Sequence, residues 1–326
     1  AVIAIIVVIG NISFWSWWCA LDKGSLILFT PYSLAIFYEG SFLTFMSLFF
    51  AWHIKVPDQV PPPSEKKVAL ITLTVPGSES RETVERQLQA MSKVSYPHER
   101  FLLVDKMHMP DYVDLCHKYG VIYFSRHDTQ TWGDDKVQKW NQPKPPFKAK
   151  TKAGNVNAWL DIYQNDFEIF VQFDIDHHPE PSYLHNTLGF FDDESVAYVQ
   201  APSLYRNGQY SWIAQGALEQ EAILQGPLQM GFYGATQTPY IIGSHCTYRM
   251  SAIIAIGGFQ PTRAEDHLDT VYLAAHGFRG VFIPQVIALG DAPETMETYL
   301  GQQFAWAYSM AQVLLCYTPK LLRNMK

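Results

Sequence analysis

The chain has 326 residues, of which 48% are hydrophobic, so it is long enough for one large domain with a substantial core. Its formal net charge of −7 argues against a nucleic-acid-binding surface. The four cysteines are scattered without a CxxC pair, which indicates a reduced compartment, no disulfide framework and buried structural thiols.

The first predicted elements are two apolar segments. Residues 1–21 carry no charge, reach the ~20 residues that a bilayer-spanning helix needs, and end in a cluster of tryptophans. Residues 26–52 form a second apolar run, which contains Pro31 and Glu39. We predict a transmembrane helical hairpin over residues 1–54, in which Glu39 faces protein or a water-filled path rather than lipid.

Two other interpretations of the first segment are weaker. A signal peptide would have a basic stretch and a small-residue cleavage site, and neither is visible here. A buried core helix would be expected to show a polar face. Lysines follow the second segment, which favours a cytosolic location for the rest of an integral membrane protein.

A proline-rich linker is predicted at 55–67, and an α/β domain follows at 68–290. Short apolar strands alternate there with amphipathic helices, which indicates a largely parallel sheet. The strands are predicted at 68–75, 101–104, 121–124, 168–173 and 196–200, and the helices at 81–91, 110–118 and 153–163. The polar residues 128–150 are predicted to form a long surface loop.

Acidic residues follow two of these strands. Asp105 ends one, and Asp174 and Asp176 end another. Ligands of open α/β sheets bind beyond the carboxyl ends of strands, and carboxylates suit hard cations such as Mg²⁺ or Mn²⁺. Alone, the pair could equally form a solvated turn, and Asp105 a strand-end cap. His177 and His178 suggest zinc, but no further ligand stands at a recognisable spacing.

Several segments resemble the cellulose synthases and related family 2 glycosyltransferases. The stretch FDIDHHP…VQAP (173–202) is similar to the family's FDADHxP…VQTP segment. KAGN (152–155), IIGSHCTYRM (241–250), RAED (263–266) and QQFAW (302–306) match further family motifs in the same order. The resemblance covers roughly residues 68–320 and implies a GT-A fold with inverting transfer from a nucleotide sugar.

The resemblance also implies a role for each matching residue. Asp176 would bind the Mg²⁺ or Mn²⁺ ion, and Asp266 would be the general base that Glu265 orients. The residues implied in donor binding are Asp105, Lys152, Asp174, His177 and Arg249. Those implied in acceptor binding are Gln302, Gly243 and Trp306. Glu265 and Asp266 could otherwise simply begin a helix, and Trp306 could be a core residue.

The donor implied first is UDP-glucose, with UDP-N-acetylglucosamine second, and the acceptor is a growing β-linked polysaccharide. A non-processive transferase that acts on a lipid-linked acceptor is an alternative. Residues 291–326 are expected to form the acceptor-side region, and 305–326 an amphipathic helix at the membrane interface, in contact with lipid. Because the family's synthases continue with more transmembrane helices, we expect this chain to be part of a longer protein or to need further subunits.

One departure from the family pattern bears on activity. The family's QxxRW motif has an arginine where this chain has Ala305, and that cation would contact the diphosphate. Arg249, Lys152 or the metal would have to compensate. A catalytically silent, synthase-like subunit is therefore an alternative, although Asp174, Asp176 and Asp266 oppose it. A metal-dependent hydrolase explains neither the hairpin nor RAED.

Overall fold

The structure is a computed structural model. It describes residues 2–105, 107–129, 131–132, 145–148 and 151–324. The chain begins with a helical hairpin of α1 (Val2–Ala20), α2 (Leu26–Ile36), a π-helical segment (Phe37–Phe42) and α3 (Leu43–Trp52). Both arms are long and apolar enough to cross a membrane. The most apolar stretch of the first arm is 0% buried, and that of the second arm is 11% buried. The buried-core interpretation is therefore wrong for this hairpin.

Polar side chains join the two arms of the hairpin. The Trp15 indole donates to Ser41 Oγ at 2.7 Å, and Ser41 in turn donates to Asn11 Oδ1 at 2.6 Å. Trp18 donates to Ser33 Oγ at 2.9 Å. Such bonds satisfy groups that hydrocarbon would leave unpaired. Glu39, predicted to face protein or a water-filled path, lies in the π-helical segment with its side chain exposed, so no described part of the chain covers it.

Among the described residues, ten strands form two sheets. They are β1 (Val68–Thr74), β2 (Glu99–Val104), β3 (Ile122–Ser125), β4 (Ile169–Asp174), β5 (His178–Pro179), β6 (Val196–Gln200), β7 (Leu204–Tyr205), β8 (His245–Arg249), β9 (Arg279–Phe282) and β10 (Ala288–Gly290). The main sheet has the order β3-β2-β1-β4-β8-β6-β9, and only β8 runs antiparallel to its neighbours. A small sheet, β5-β10-β7, lies beside it. The predicted, largely parallel α/β sheet is confirmed.

Helices cover both faces of the main sheet. The helices after the hairpin are α4 (Arg81–Met91), α5 (Pro110–Tyr119), α6 (Lys152–Tyr163), α7 (Tyr183–Thr187), α8 (Trp212–Ile223), α9 (Gln229–Thr236), α10 (Met250–Ala255), α11 (Glu265–Ala275), α12 (Met296–Gln312) and α13 (Thr318–Asn324). The apolar stripe of α4, with Val84 and Leu88, packs on one face with the apolar side of α5. Trp159 of α6 packs on the other face. Strands buried on both faces explain the continuous apolar run of β1.

The hairpin joins the α/β domain through α3 and α9. The rings of Phe50 and Phe232 lie 4.0 Å apart between centroids. Two glycines of α9 make this approach possible, because a Cβ on Gly231 would meet Phe50 O at 2.6 Å and one on Gly234 would meet His53 O at 1.7 Å. The predicted linker then follows the domain surface, where Lys55 N donates to Met230 O.

Three local predictions need correction. Cys116 and Cys246 are buried, as expected, but Cys19 and Cys316 are exposed. Of the predicted surface loop 128–150, residues 130, 133–144 and 149–150 lie outside the described residues. Within the described part, Trp132 is buried because its indole donates to Asp161 of α6 at 2.8 Å, and Phe147 is buried as well. The carboxyl-terminal helix begins at Met296, because Thr295 and Thr298 form a capping box there.

Candidate active site

One cavity of about 690 Å³ opens beyond the carboxyl end of β4. Three segments of the fold supply its polar wall: the start of α6, the turn after β4 and the start of α11. The predicted site residues that line it are Lys152, Asp174, Asp176, His177, Gly243, Glu265, Asp266, Gln302 and Trp306. The structure therefore brings nine separately predicted residues to a single space.

Lys152 ties three walls of the cavity together. It is the first residue of α6, and its Nζ donates to Asp174 Oδ1 at 2.8 Å and also to the carbonyl oxygen of Gly243. Glu265 Oε1 lies 3.6 Å from the same nitrogen. Burial works to lower the pKa of Lys152, but the surrounding carboxylates outweigh it and raise that pKa, so the amine stays charged.

Asp174, Asp176 and His177 form a group that fits a cation, with ligand atoms within 4.8 Å of one another. Asp174 Oδ1 also accepts from Gln172 at 3.2 Å, which leaves Oδ2 for a ligand. His177 contacts Asp176 Oδ1 through Nδ1 at 3.0 Å and Ser203 Oγ through Nε2 at 2.7 Å. Burial raises the pKa of Asp174. For Asp176 the hydrogen bond and charge of His177 outweigh burial, and its pKa is lowered.

The chemistry of this donor set suits Mg²⁺ or Mn²⁺ better than zinc, because carboxylate oxygens dominate it. Two buried hydroxyls beside it, Thr151 Oγ1 and Ser244 Oγ, have no hydrogen-bond partner among the described residues. Both residues line the cavity. Unsatisfied buried donors are costly, so a polar ligand is expected to complete this wall.

Glu265 and Asp266 begin α11, where the helix dipole favours negative charge. Asp266 Oδ2 accepts from Gly243 N at 3.0 Å, and Oδ1 accepts from His267 N at 2.8 Å. Burial raises the pKa of Glu265 to about 7. Burial also opposes ionisation of Asp266, but His267 outweighs it and lowers the pKa of that carboxyl.

Gly243 allows this close packing. A Cβ at this position would lie 2.9 Å from Asp266 Oδ2 and 3.4 Å from Lys152 Nζ. Only a glycine lets both its N–H and its carbonyl oxygen reach these charged groups without a shift of the carboxylate.

Helix α12 forms another wall of the cavity. Gln302 and Trp306 line it, and Trp306 is 42% exposed, so its ring is accessible to a ligand. Tyr205 and Glu221 line the cavity as well. Ala305, which lies between the two α12 residues, is half-buried and is not among the described residues that line the cavity.

Comparisons with known proteins agree with this arrangement. The sequence profile of the group described as "Glycosyl transferase family group 2" matches residues 169–325. A cellulose synthase catalytic subunit [UDP-forming] of Xanthomonas axonopodis pv. citri is 25% identical over 76% of this chain. A probable glucomannan 4-beta-mannosyltransferase of Arabidopsis thaliana is 22% identical over 93% of it. The chain is a glycosyltransferase that is similar to the cellulose synthases, and its residues 169–325 match the family 2 group.

The solved structures support the fold of this glycosyltransferase. A mannosyltransferase from Pyrobaculum calidifontis, solved with GDP-Man and Mn²⁺, matches 86% of this chain and 72% of its own, with a TM-score of 0.60 and 18% identity. The predicted GT-A-like fold is therefore confirmed. The chain spans 32% of the length of the Xanthomonas cellulose synthase subunit and 55% of the Arabidopsis protein.

Two predicted donor-binding residues lie outside the cavity of this glycosyltransferase. Asp105 follows β2 and forms a paired contact with the buried Arg126, whose Nε and Nη2 lie 2.7 Å and 2.8 Å from its oxygens. Arg249 ends β8, and its guanidinium donates to the carbonyl oxygens of Val196, Phe191 and Asp193. Arg249 thus joins β8 to the backbone of residues 191–196. Because it lies outside the cavity, it cannot supply the positive charge of the motif arginine that Ala305 replaces.

The structure adds residues to the site that sequence patterns did not single out. Arg263, the exposed first residue of the RAED segment, lines the cavity, as does His267, which directly follows that segment. No role was predicted for either residue, although a position in or beside the motif was a usable signal. Tyr205 and Glu221 had no such signal, because β7 and α8 reach the cavity only through the tertiary fold.

Proposed function

We propose that this glycosyltransferase is inverting and metal-dependent, and that it transfers a hexose from a UDP-sugar to a growing β-linked polysaccharide. UDP-glucose is the donor favoured first, and UDP-N-acetylglucosamine second. The observation that carries the proposal is the shared cavity. The Asp174–Asp176–His177 group lines it from the end of β4, and Asp266 lines it from the start of α11. The words "UDP-forming" in the cellulose synthase relative's description support a uridine nucleotide.

The reaction needs a single displacement at the anomeric carbon. Asp266 takes the proton from the acceptor hydroxyl as its oxygen attacks, and the bond to the diphosphate breaks on the opposite side. Trp306 offers its exposed face to the terminal acceptor sugar, and Gln302 beside it supplies hydrogen bonds. Glu265 stays close to Lys152 and orients the start of α11.

Asp176, with Asp174 and His177 beside it, would hold Mg²⁺ or Mn²⁺. When bound, this ion neutralises the charge that develops on the departing diphosphate. Lys152 contributes a fixed positive charge to the same region, because its carboxylate neighbours keep it protonated.

Arg263 takes over the role of the arginine that Ala305 replaces. Besides Lys152, it is the only lysine or arginine among the described residues that line the cavity. Its side chain is exposed, so the guanidinium is available to a diphosphate, with which it can form paired, charge-assisted hydrogen bonds. This assignment opposes the interpretation of the chain as a silent subunit.

The location we propose is a membrane, with the catalytic domain in the cytosol. The exposed, apolar hairpin is the evidence for a membrane location. Lys55, Lys66 and Lys67, which follow it, favour the cytosolic side for the catalytic domain. Exposed apolar residues on α12 and the segments after it suit the lipid interface. They are Leu300, Phe304, Tyr308, Leu314, Leu315 and Leu322.

A mannosyl donor ranks third, because the glucomannan mannosyltransferase relative aligns with 93% of the chain. The test is to incubate the membrane-embedded protein with UDP-glucose, UDP-N-acetylglucosamine or GDP-mannose in Mg²⁺ or Mn²⁺, and to measure product length. Long chains from a UDP-sugar support the proposal. Products one sugar longer indicate the non-processive alternative, and binding without turnover indicates a silent subunit.

A further inference from the structure

Hydrogen bonds are unequally distributed over the two oxygens of Asp266. Oδ1 lies 2.8 Å from the backbone N–H of His267 and 3.1 Å from Nδ1 of its ring. Oδ2 accepts one N–H, that of Gly243, at 3.0 Å. Because each carboxylate oxygen offers two lone pairs, these contacts fill Oδ1 and leave one lone pair on Oδ2.

His267 is placed to respond to solvent as well as to Asp266. Its side chain is 34% exposed and lines the cavity, and its ring lies 5.4 Å from that of Tyr240. Since a carboxylate only accepts, Nδ1 must carry a proton, and Nε2 is the position that gains a second proton when the ring becomes charged.

We propose that His267 is the positioning residue of Asp266: its neutral ring fixes the carboxylate with Oδ2 available to the acceptor hydroxyl, and its charged ring suppresses that basicity. This inference rests on the proposed function, in which Asp266 is the base. In the step itself the acceptor O–H bond breaks and its proton moves to Oδ2. The acceptor oxygen bonds to the anomeric carbon, and the diphosphate leaves with the electron pair of the broken bond.

The charges around the ring give this arrangement a pH dependence. Burial works to lower the pKa of His267, but the hydrogen bond and charge of Asp266, with the charge of Glu265, outweigh it and raise that pKa. Below this pKa the ring is charged, and Asp266 is a poor base. As the pH rises through it, the ring becomes neutral and activity increases, so the acidic limb of the rate profile lies above the ordinary histidine range.

Other ionisable groups face the same place. Glu265 stands on the same helix with its pKa raised to about 7, Tyr240 contacts the ring from the segment before β8, and Lys152 approaches Asp266 from α6 and stays charged. Glu265 is the rival source of a limb near neutrality. Replacement of His267 separates the two, because it leaves Glu265 in place.

The experiment is the pH profile of kcat, at saturating metal and donor sugar, for the full chain and two variants. His267→Asn places an amide N–H where Nδ1 stands but cannot titrate. His276→Asn is the matched control, because His276 follows the end of α11, is exposed, and its ring Nδ1 contacts the backbone oxygen of Tyr272 at 2.8 Å. We expect His267→Asn to stay within about 10-fold of wild-type kcat at high pH and to lose the limb or shift it down by about one pH unit or more.

A limb that is unchanged in His267→Asn would overturn the proposal and point to Glu265. Loss of activity at every pH in this variant would overturn it as well, if UDP binding measured by calorimetry stays intact and shows a folded protein. A third variant, Asp266→Asn, tests the underlying function separately. Should it retain wild-type activity, Asp266 is not the base, whatever the profile of His267→Asn.

Discussion

At the residue scale, a few residues that each make several contacts hold the cavity walls together. Lys152 contacts Asp174, Gly243 and Glu265, while Gly243 contacts Asp266. The carboxylates of Asp174, Glu265 and Asp266 are therefore held by one connected network. Single substitutions in it are expected to change the reaction more than the stability of the fold.

The first prediction concerns the base. Asp266→Asn keeps the shape of the side chain but removes its ability to accept a proton, so kcat is expected to fall by about 10²-fold or more. Donor binding is expected to persist, which UDP titration by calorimetry measures. Asp161→Asn is a suitable control, because Asp161 lies near the end of α6, accepts from Trp132 and does not line the cavity. Equal kcat in Asp266→Asn and wild type would contradict the assignment.

The second prediction concerns the cation that replaces the missing motif arginine. Arg263→Ala is expected to raise the KM for the nucleotide sugar by about 10-fold, because a charge-assisted contact contributes ~1.5–3 kcal/mol. Arg263→Lys should recover part of the loss. Arg81→Ala, an exposed arginine at the start of α4, is the control. An unchanged KM in Arg263→Ala would mean that Lys152 and the metal suffice.

The third prediction concerns Gly243. Gly243→Ala places a methyl group 2.9 Å from Asp266 Oδ2, so the carboxylate must move. Misplacement by about 1 Å can lower the rate by about 10²-fold, so kcat should fall sharply while the fold survives. Thermal unfolding and kcat, measured on the same preparation, separate these effects. A variant with a normal rate would show that the carboxylate position does not matter.

At the element scale, α9 forms the contact between α3 of the hairpin and the α/β domain. A Cβ at Gly234 would lie 1.7 Å from the backbone oxygen of His53, which cannot move without α3. Gly234→Ala is therefore expected to destabilise the protein by about 1–3 kcal/mol, seen as a lower midpoint of thermal unfolding in detergent. Gly216→Ala in α8, where nothing lies within 4 Å of the added Cβ, should be neutral or stabilising. Equal midpoints for the two variants would show that the contact between α9 and α3 accepts an added side chain.

Elements with local signals were predictable from the sequence. The periodicity of α4 gave its bounds, and the apolar run of β1 was missed by a single residue. The small sheet of β5, β7 and β10 was not predicted, because two of its strands have two residues each and carry no pattern. The burial of Trp132 depends on Asp161 of a distant helix, which no local pattern reveals.

At the scale of the whole molecule, family motifs predicted the shared cavity but could not give its exact membership. Nine predicted residues meet there, whereas Asp105 pairs with Arg126 and Arg249 binds backbone oxygens elsewhere. Arg263 and His267, for which no role was predicted, also line the cavity. Tertiary packing brings Arg263 to the cavity that Ala305 does not line, and no local pattern reveals this.

In the proposed reaction, one cavity both binds the nucleotide sugar and activates the acceptor. Polymer formation by the membrane-embedded full chain with UDP-glucose and Mn²⁺, compared between wild type, Asp176→Asn and Asp266→Asn, tests both roles together. We expect polymer from wild type, no polymer from Asp266→Asn despite retained UDP binding, and no polymer from Asp176→Asn at any Mn²⁺ concentration. Equal polymer yield from all three proteins would show that the cavity does not perform the reaction.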